Sequence, residues 1–283
     1  RCGGIQVTKA SPIRSGDQFT EGETSRILEQ FRVDGYCHLG KILEDDEVAA
    51  LRDAMERKIV DPLMQEDQPG DHRRGTSLMR MYEYDMAFRD LIVREPFASL
   101  AETILGDDCH LMSQNALITP PNPEAKADGP GGWHIDDLVH FPLPNNIPYH
   151  DPAIPLPCFV MQIFTPLTDI EIVENGPTQV VPGSHYAGRG PDSQVQPEFK
   201  GKKPVSIFAR AGEVYMFNNQ MWHRGAPNPS DRLRLLGGVT YSKRFVAQKL
   251  YPFVDYRMPD HVWEGAGPRL QRFLGRHKKG AYG

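Results

Sequence analysis

His134 and Asp136 stand two residues apart in GGWHIDDLVHF (131–141), just after two glycines. On a β-strand, residues i and i+2 project to the same face, so this imidazole and carboxylate point together while Ile135 and Asp137 point away. On a helix the same pair would diverge. An imidazole nitrogen and a carboxylate oxygen side by side are two donors for a metal ion, and a third must come from elsewhere. The first candidate is His223 in NNQMWHRGAPNPSDRLR, near the end of the run GEVYMFNN. His185 in VPGSHYAGRG is another, and His140 and His150 belong to the segment after the pair. Two histidines and a carboxylate on one side of an ion form the facial triad of non-haem Fe(II) oxygenases. They leave the other face of the octahedron open, where a bidentate 2-oxo acid and O2 fit. The two glycines let backbone approach a ligand closely. HxD by itself is a common accidental match. With 10 histidines in the chain, spacing alone leaves the third ligand open.

The elements that must position these groups change character along the chain. In TEGETSRILEQF, Ile27, Leu28 and Phe31 share a helical face, and Gly35 ends the helix. In EDDEVAALRDAMERKIV, Val48, Leu51, Met55 and Ile59 follow helical spacing behind an acidic first turn. A third helix is expected from Pro96 to Leu105, with Pro96 in the first position and Gly106 just past the end. From about residue 109 short apolar or alternating runs take over, divided by Gly, Pro and Asn: CHLMSQNALIT, GGWHIDDLVHF, CFVMQIFTPL, GPTQVVPG, PVSIFA, GEVYMFNN and RLRLLGGVTYSKR. Many short strands with turn chemistry between them indicate an antiparallel sandwich or barrel. The 25 prolines fall mostly between the runs. Pro142 to Pro157 is too long for a simple turn, and connections of that length are often lids or binding loops. The reading is mainly β with α: a double-stranded β-helix (a cupin-like jelly roll) under an N-terminal helical layer. It is one domain over 1–283, with helices in about 20–108, the jelly-roll core in about 109–250 and a tail from about 251.

Composition agrees with that single unit. The 283 residues are 39% hydrophobic and 24% charged, values of a soluble globular protein with material for a real core. A net charge of −5 gives no reason to expect nucleic acid as a partner. The basic GRHKKG near the C-terminus reads as a solvated end. Cys2, Cys37, Cys109 and Cys158 are far apart and form no CxxC, which suits reduced, mostly buried thiols. No run approaches a membrane span and no signal-peptide pattern is present, so the expectation is a cytoplasmic protein.

Three motifs, WHIDD (133–137), NGPTQVVPGSH (175–185) and WHRGAPNPSDRLR (222–234), together resemble the phytanoyl-CoA dioxygenase family of Fe(II)/2-oxoglutarate oxygenases. The likeness runs from about residue 20 to 245. It implies that His134, Asp136 and His223 bind Fe(II), with 2-oxoglutarate and O2 as co-substrates. The family places an arginine eleven residues after the distal histidine, against the far carboxylate of 2-oxoglutarate, and that position is Arg234. Arg232 has the same parity, and periodicity does not choose between them. Gln114 or Asn115, on the strand before the metal pair, is expected to hydrogen-bond the co-substrate, and Thr178 to lie near it. In PGSH, Pro182 and Gly183 shape a turn, with Ser184 and His185 supporting the pocket mouth. Halogenating relatives replace the metal-binding carboxylate with a small residue; Asp136 is present here, which favours hydroxylation, desaturation or ring formation.

The substrate is expected to be a small molecule, with no nucleic acid or membrane partner. Trp133, Phe141, Trp222 and Phe245 are candidate pocket aromatics, and Arg73, Arg74 and Arg80 a candidate anion site. The family's relatives act on acyl-CoA, amino-acid-like solutes, phosphonates and natural products, so its name does not transfer as a substrate. Two other readings are a cupin-like metalloenzyme that does not use 2-oxoglutarate and a catalytically silent binding protein on the same barrel. The first would lack an arginine aimed at the metal pocket, and the second would have no need of an intact triad.

Overall fold

The computed structural model of the chain describes residues 11–59, 76–250 and 255–278. Helix α1 (Glu21–Asp34) opens on a capping box in which Thr20 and Glu23 satisfy each other's free backbone amides, and Gly35 closes it in the left-handed region. Strand β1 (Tyr36–Lys41) and helix α2 (Asp45–Ile59) follow. Then come strand β2 (Thr76–Met79), the short helices α3 (Met81–Tyr84) and α4 (Met86–Leu91), and α5 (Phe97–Leu105). Pro96 is the N-cap of α5 rather than its first residue, a one-residue difference of the kind helix ends allow. Strands β1 and β2 and helices α3 and α4 carry no clear sequence period because each is only four to six residues long.

The jelly-roll part contains β3 (His110–Thr119), β4 (Val160–Pro166), β5 (Thr178–Val180), β6 (Val205–Ile207), β7 (Glu213–Asn218), β8 (His223–Gly225) and β9 (Arg234–Ser242). One antiparallel sheet has the order β1-β7-β4-β9-β3-β2 and the other β6-β5-β8. Two short helices, α6 (Asp260–Trp263) and α7 (Pro268–Phe273), lie in the expected tail. Val262, Leu270 and Phe273 join the main core, so this part of the tail is integral to the domain.

The larger sheet separates two environments by strand alternation. Met161, Ile163, Val214, Met216, Leu235, Val239 and Tyr241 face the helices and join their apolar stripe in one core. Phe164, Tyr215, Phe217 and Leu236 point into the space between the sheets and meet Val180 and Ile207 of the smaller one. On β9, Arg234, Gly238 and Thr240 share the parity of Leu236, which places Arg234 between the sheets. Strand β3 breaks its register against β9 between Leu111 and Ser113. Leu111, Ala116 and Ile118 face the helices, so the parity of facing changes across Met112.

The helical layer is fastened by a buried ion pair. Arg94 Nε and Nη2 donate to the two oxygens of Glu47 on α2 at 3.0 and 3.1 Å. Nη1 and Nη2 also reach the carbonyls of Glu95 and Ile42. Glu47 accepts further bonds from the backbone amides of Arg14 and Glu44. Cys37 and Cys109 are buried and Cys158 half-buried, all as free thiols; Cys2 lies outside the described residues.

Removing one partner of this pair strands a charge in the core. Arg94→Met is expected to lose about 3–5 kcal/mol in denaturant unfolding. Adding Glu47→Leu to that variant should recover much of the loss.

Candidate metal centre

The site begins with a single antiparallel bridge. His134 and His223 exchange both backbone hydrogen bonds, His134 N to His223 O at 3.0 Å and His223 N to His134 O at 2.9 Å. The stretch expected to be a strand is therefore one bridge residue at the edge of β8, followed by a bend. The reason lies in its flanks: Gly131 and Gly132 have φ of +96° and +78°, and Asp137 turns left-handed at +59°. Pleat parity alone thus does not bring Asp136 beside His134. Asp136 N donates to Asn219 O at 3.2 Å, and Gln220 Nε2 donates to the carbonyls of Asp136 and Leu138. The turn after β7 holds the loop in place.

The three side chains converge. His134 Nε2 lies 3.6 Å from Asp136 Oδ1, and His223 Nε2 lies 3.5 Å from Asp136 Oδ2. One ligand atom from each residue lies within 4.8 Å of the other two, close enough to share one ion. Both rings are oriented alike. His134 Nδ1 donates to Gly132 O at 2.6 Å and His223 Nδ1 to Met221 O at 2.9 Å. A carbonyl only accepts, so Nδ1 carries the proton and the Nε2 lone pair is free for a metal. Ser184 fixes the approach to His223, its hydroxyl accepting from Trp222 N at 2.8 Å.

The electrostatics differ across the three. The hydrogen bond to Asp136 raises the pKa of His134 above its ordinary value. Burial lowers that of His223. Burial works to raise Asp136, yet the hydrogen bond from His134 and the two imidazoles hold it below the usual carboxylate value.

A cavity of about 330 Å³ extends from these residues between the sheets. Arg234 lines it and is buried, whereas Arg232 is exposed in the bend before β9. Arg234 Nη1 donates to Gly176 O, and its Nε is buried without a hydrogen-bond partner. Gly225 leaves the guanidinium room: a Cβ there would lie 3.1 Å from Nη2. Thr178 lines the same cavity and shares a 2.7 Å hydrogen bond with Tyr215 OH. Gln114 does not line it. Its amide is spent on the helical side, accepting from Tyr82 N at 2.8 Å and donating to Phe88 O at 2.6 Å. Asn115, one residue on, faces the cavity with an unpartnered Oδ1.

Other expected residues lie elsewhere. His185 is not in the metal cluster; its Nε2 donates to Arg32 O at the end of α1, and burial lowers its pKa to about 4. His140 stacks near Phe159, and His150 donates to Phe141 O. Residues 142–157 line no part of the cavity and are held against the 186–189 turn, with Leu143 N on Gly188 O and His150 N on Tyr186 O. Trp133 and Trp222 pack in an apolar cluster with Phe199, and Phe245 is exposed on Phe159; neither these nor Phe141 line the cavity. Arg80 pairs with Glu83, and Arg73 and Arg74 lie outside the described residues.

Four lining residues had no sequence signal. Gln162 on β4 donates through Nε2 to Asp136 Oδ2. Asn219 Nδ2 holds Asp137, which also pairs with Lys249. Arg224 donates to Gln179 and to the carbonyls of Gly129 and Gly131. Gln162 was hidden because β4 is buried on both faces, which erases the alternation that would single it out.

The sequence matches the model of the phytanoyl-CoA dioxygenase family over residues 31–236. It is 24% identical over 250 residues to the uncharacterized protein Rv1501 of Mycobacterium tuberculosis, covering 87% of this chain and 84% of that one. Among solved structures it is similar to the epimerase SnoN from nogalamycin biosynthesis, in complex with Fe3+, alpha-ketoglutarate and nogalamycin RO. There the TM-score is 0.60 at 22% identity, over 88% of this chain and 94% of that one. HygX from Streptomyces hygroscopicus, with nickel and 2-oxoglutarate bound, gives 0.59 at 19% identity, over 81% and 89%. These likenesses show the shared jelly-roll fold.

Metal affinity is expected to fall with pH first through one group. The pKa of His134 is raised and those of His223 and Asp136 are lowered, so His134 protonates ahead of the other two, and once protonated it has no lone pair to give. Binding of Co(II) followed by calorimetry should weaken tenfold per pH unit below the raised pKa of His134. A slope of zero or two protons would contradict this.

Proposed function

The chain belongs to the phytanoyl-CoA dioxygenase family, and from that premise we propose that it is an Fe(II)- and 2-oxoglutarate-dependent oxygenase acting on a C–H bond of a small-molecule metabolite. The observation that carries this reading is one cavity holding both a three-donor metal cluster and a buried arginine with an unpartnered Nε. Bound Fe(II) with 2-oxoglutarate and O2 supplies the oxidising power, with succinate and CO2 as coproducts.

In this reading His134, Asp136 and His223 hold the ion through two Nε2 atoms and one carboxylate oxygen. The Nδ1–H bonds to Gly132 and Met221 keep both imidazoles in the ligating tautomer. Arg234 receives the far carboxylate of 2-oxoglutarate. Since Nη1 is engaged by Gly176, the carboxylate meets the Nε edge of the guanidinium, where a planar, permanently charged donor suits it. Gly238 makes room for the Phe164 ring, which lines the cavity: a Cβ there would lie 2.6 Å from that ring and 2.9 Å from Asn115 O. Thr178, and Asn115 in place of Gln114, supply further polar contacts to the co-substrate. Substrate enters on the half-exposed His134 side, and the outcome is hydroxylation or another oxidation at that C–H bond, such as desaturation or ring formation.

A cupin-like enzyme that does not use 2-oxoglutarate would have no use for Arg234, and a silent binding protein no use for three aligned donors. The nogalamycin RO bound by SnoN supports a small-molecule substrate. No helix among the described residues is long and apolar enough to cross a membrane.

Iron-loaded protein should release succinate from 2-oxoglutarate in air, slowly alone and faster with its substrate. Arg234→Ala should raise KM for 2-oxoglutarate on the order of 100-fold, the effect of removing a buried charged partner. Its Fe(II) affinity should stay within about twofold, since Arg234 touches no ligand. An unchanged KM would assign the arginine a structural role.

A further inference from the structure

Gln162, a side chain of the larger sheet, donates a hydrogen bond to a residue of the metal cluster. It sits on β4, where it pairs in register with Phe217 of β7 and Thr240 of β9, and it is buried. Its amide meets Asp136 Oδ2. A carboxylate only accepts, so the group facing it is Nε2–H and not Oε1, whatever the amide assignment. Each carboxylate oxygen faces one imidazole, Oδ1 that of His134 at 3.6 Å and Oδ2 that of His223 at 3.5 Å, but only Oδ2 also receives an amide. The two carboxylate oxygens are therefore unequal before any ion arrives.

The inequality matters for the number of open positions. Two imidazoles, one carboxylate oxygen and a bidentate 2-oxo acid leave an octahedral ion a single position. A second bond from the same carboxylate would fill it. Resting on the oxygenase reading above, we propose that Gln162 is a positioning residue that holds Oδ2 of Asp136 away from the iron, so that the aspartate ligates through Oδ1 alone and the position for O2 stays open. A neutral amide suits this role. It donates one directed hydrogen bond without adding a positive charge beside a dication, and burial in a fully paired central strand fixes its direction. No covalent or redox step is assigned to Gln162.

Nitric oxide, which occupies the O2 position of Fe(II) and gives an S = 3/2 electron paramagnetic resonance signal, is the probe. Full-length protein is loaded anaerobically with Fe(II) and 2-oxoglutarate, and the visible charge-transfer band reports that complex. Gln162→Met keeps the side-chain length and removes the donor; Gln162→Asn keeps an amide too short to reach. Thermal melts of the metal-free proteins show which variants fold, and either one suffices. The expected result is a retained charge-transfer band with nitric oxide affinity roughly 10- to 100-fold weaker, the range for removing a partner of a metal ligand. A retained band with nitric oxide affinity within twofold of wild type would overturn the proposal and leave the oxygenase reading standing. Loss of Fe(II) binding in a folded variant would also overturn it, because Gln162 would then make the ligand and not restrict it. Absence of the band in wild-type protein would remove the oxygenase reading and this proposal together.

Discussion

Everything at the site hangs on the reciprocal backbone bridge between His134 and His223. Two residues far apart in sequence exchange both main-chain hydrogen bonds, so their side chains leave the sheet edge next to each other. The ring centroids lie 4.3 Å apart. Each imidazole then turns its Nδ1–H back onto a carbonyl two residues earlier, and both Nε2 atoms face the same space. Only Asp136 has to be brought in separately, and the 218–220 turn does that through backbone and amide hydrogen bonds. A slip of one residue at this bridge would turn a ligand into the apolar cluster behind it.

The larger sheet supplies the rest by alternation. Its helix-facing side is apolar and closes the core. Its inner side carries Gln162, Thr240, Asn115 and Arg234 among larger apolar groups. Burying this much polar surface is costly unless it is satisfied. Arg234 Nε and Asn115 Oδ1 are left without partners inside the same cavity as the metal donors. A bound dicarboxylate would relieve the deficit at the donor Arg234 Nε, whereas the acceptor Asn115 Oδ1 needs a donor such as water or a substrate hydroxyl, and stabilisation is thereby traded for a prepared site.

Much of this was legible in the sequence. Strands β3, β4, β5, β6, β7 and β9 fall in the expected apolar runs, and α1 and α2 carry their caps and spacing openly. His134, Asp136 and His223 were singled out by residue type and distance, and they do cluster. What failed were inferences that needed regular geometry. The HxD stretch is no regular strand, because positive-φ glycines and a left-handed Asp137 bend it. Between Gln114 and Asn115 the sequence does not choose, and the register break near Met112 leaves Asn115 facing the cavity and Gln114 the helices. Arg232 shares the parity of Arg234 yet precedes the strand, where parity has no meaning. Gln162, Asn219, Arg224 and Lys249 come together only through long-range pairing, which no local pattern encodes. The Pro-rich segment 142–157 is long enough for a lid, yet its hydrogen bonds bind it to a neighbouring turn away from the cavity.

The central claim is that one cavity binds iron through His134, Asp136 and His223 and chelates 2-oxoglutarate onto that iron. Anaerobic titration of 2-oxoglutarate into Fe(II)-loaded protein tests it most directly, followed by visible absorbance. The account predicts a charge-transfer band that saturates at one equivalent and is absent in His134→Ala. No band, or a band that survives that substitution, would contradict it.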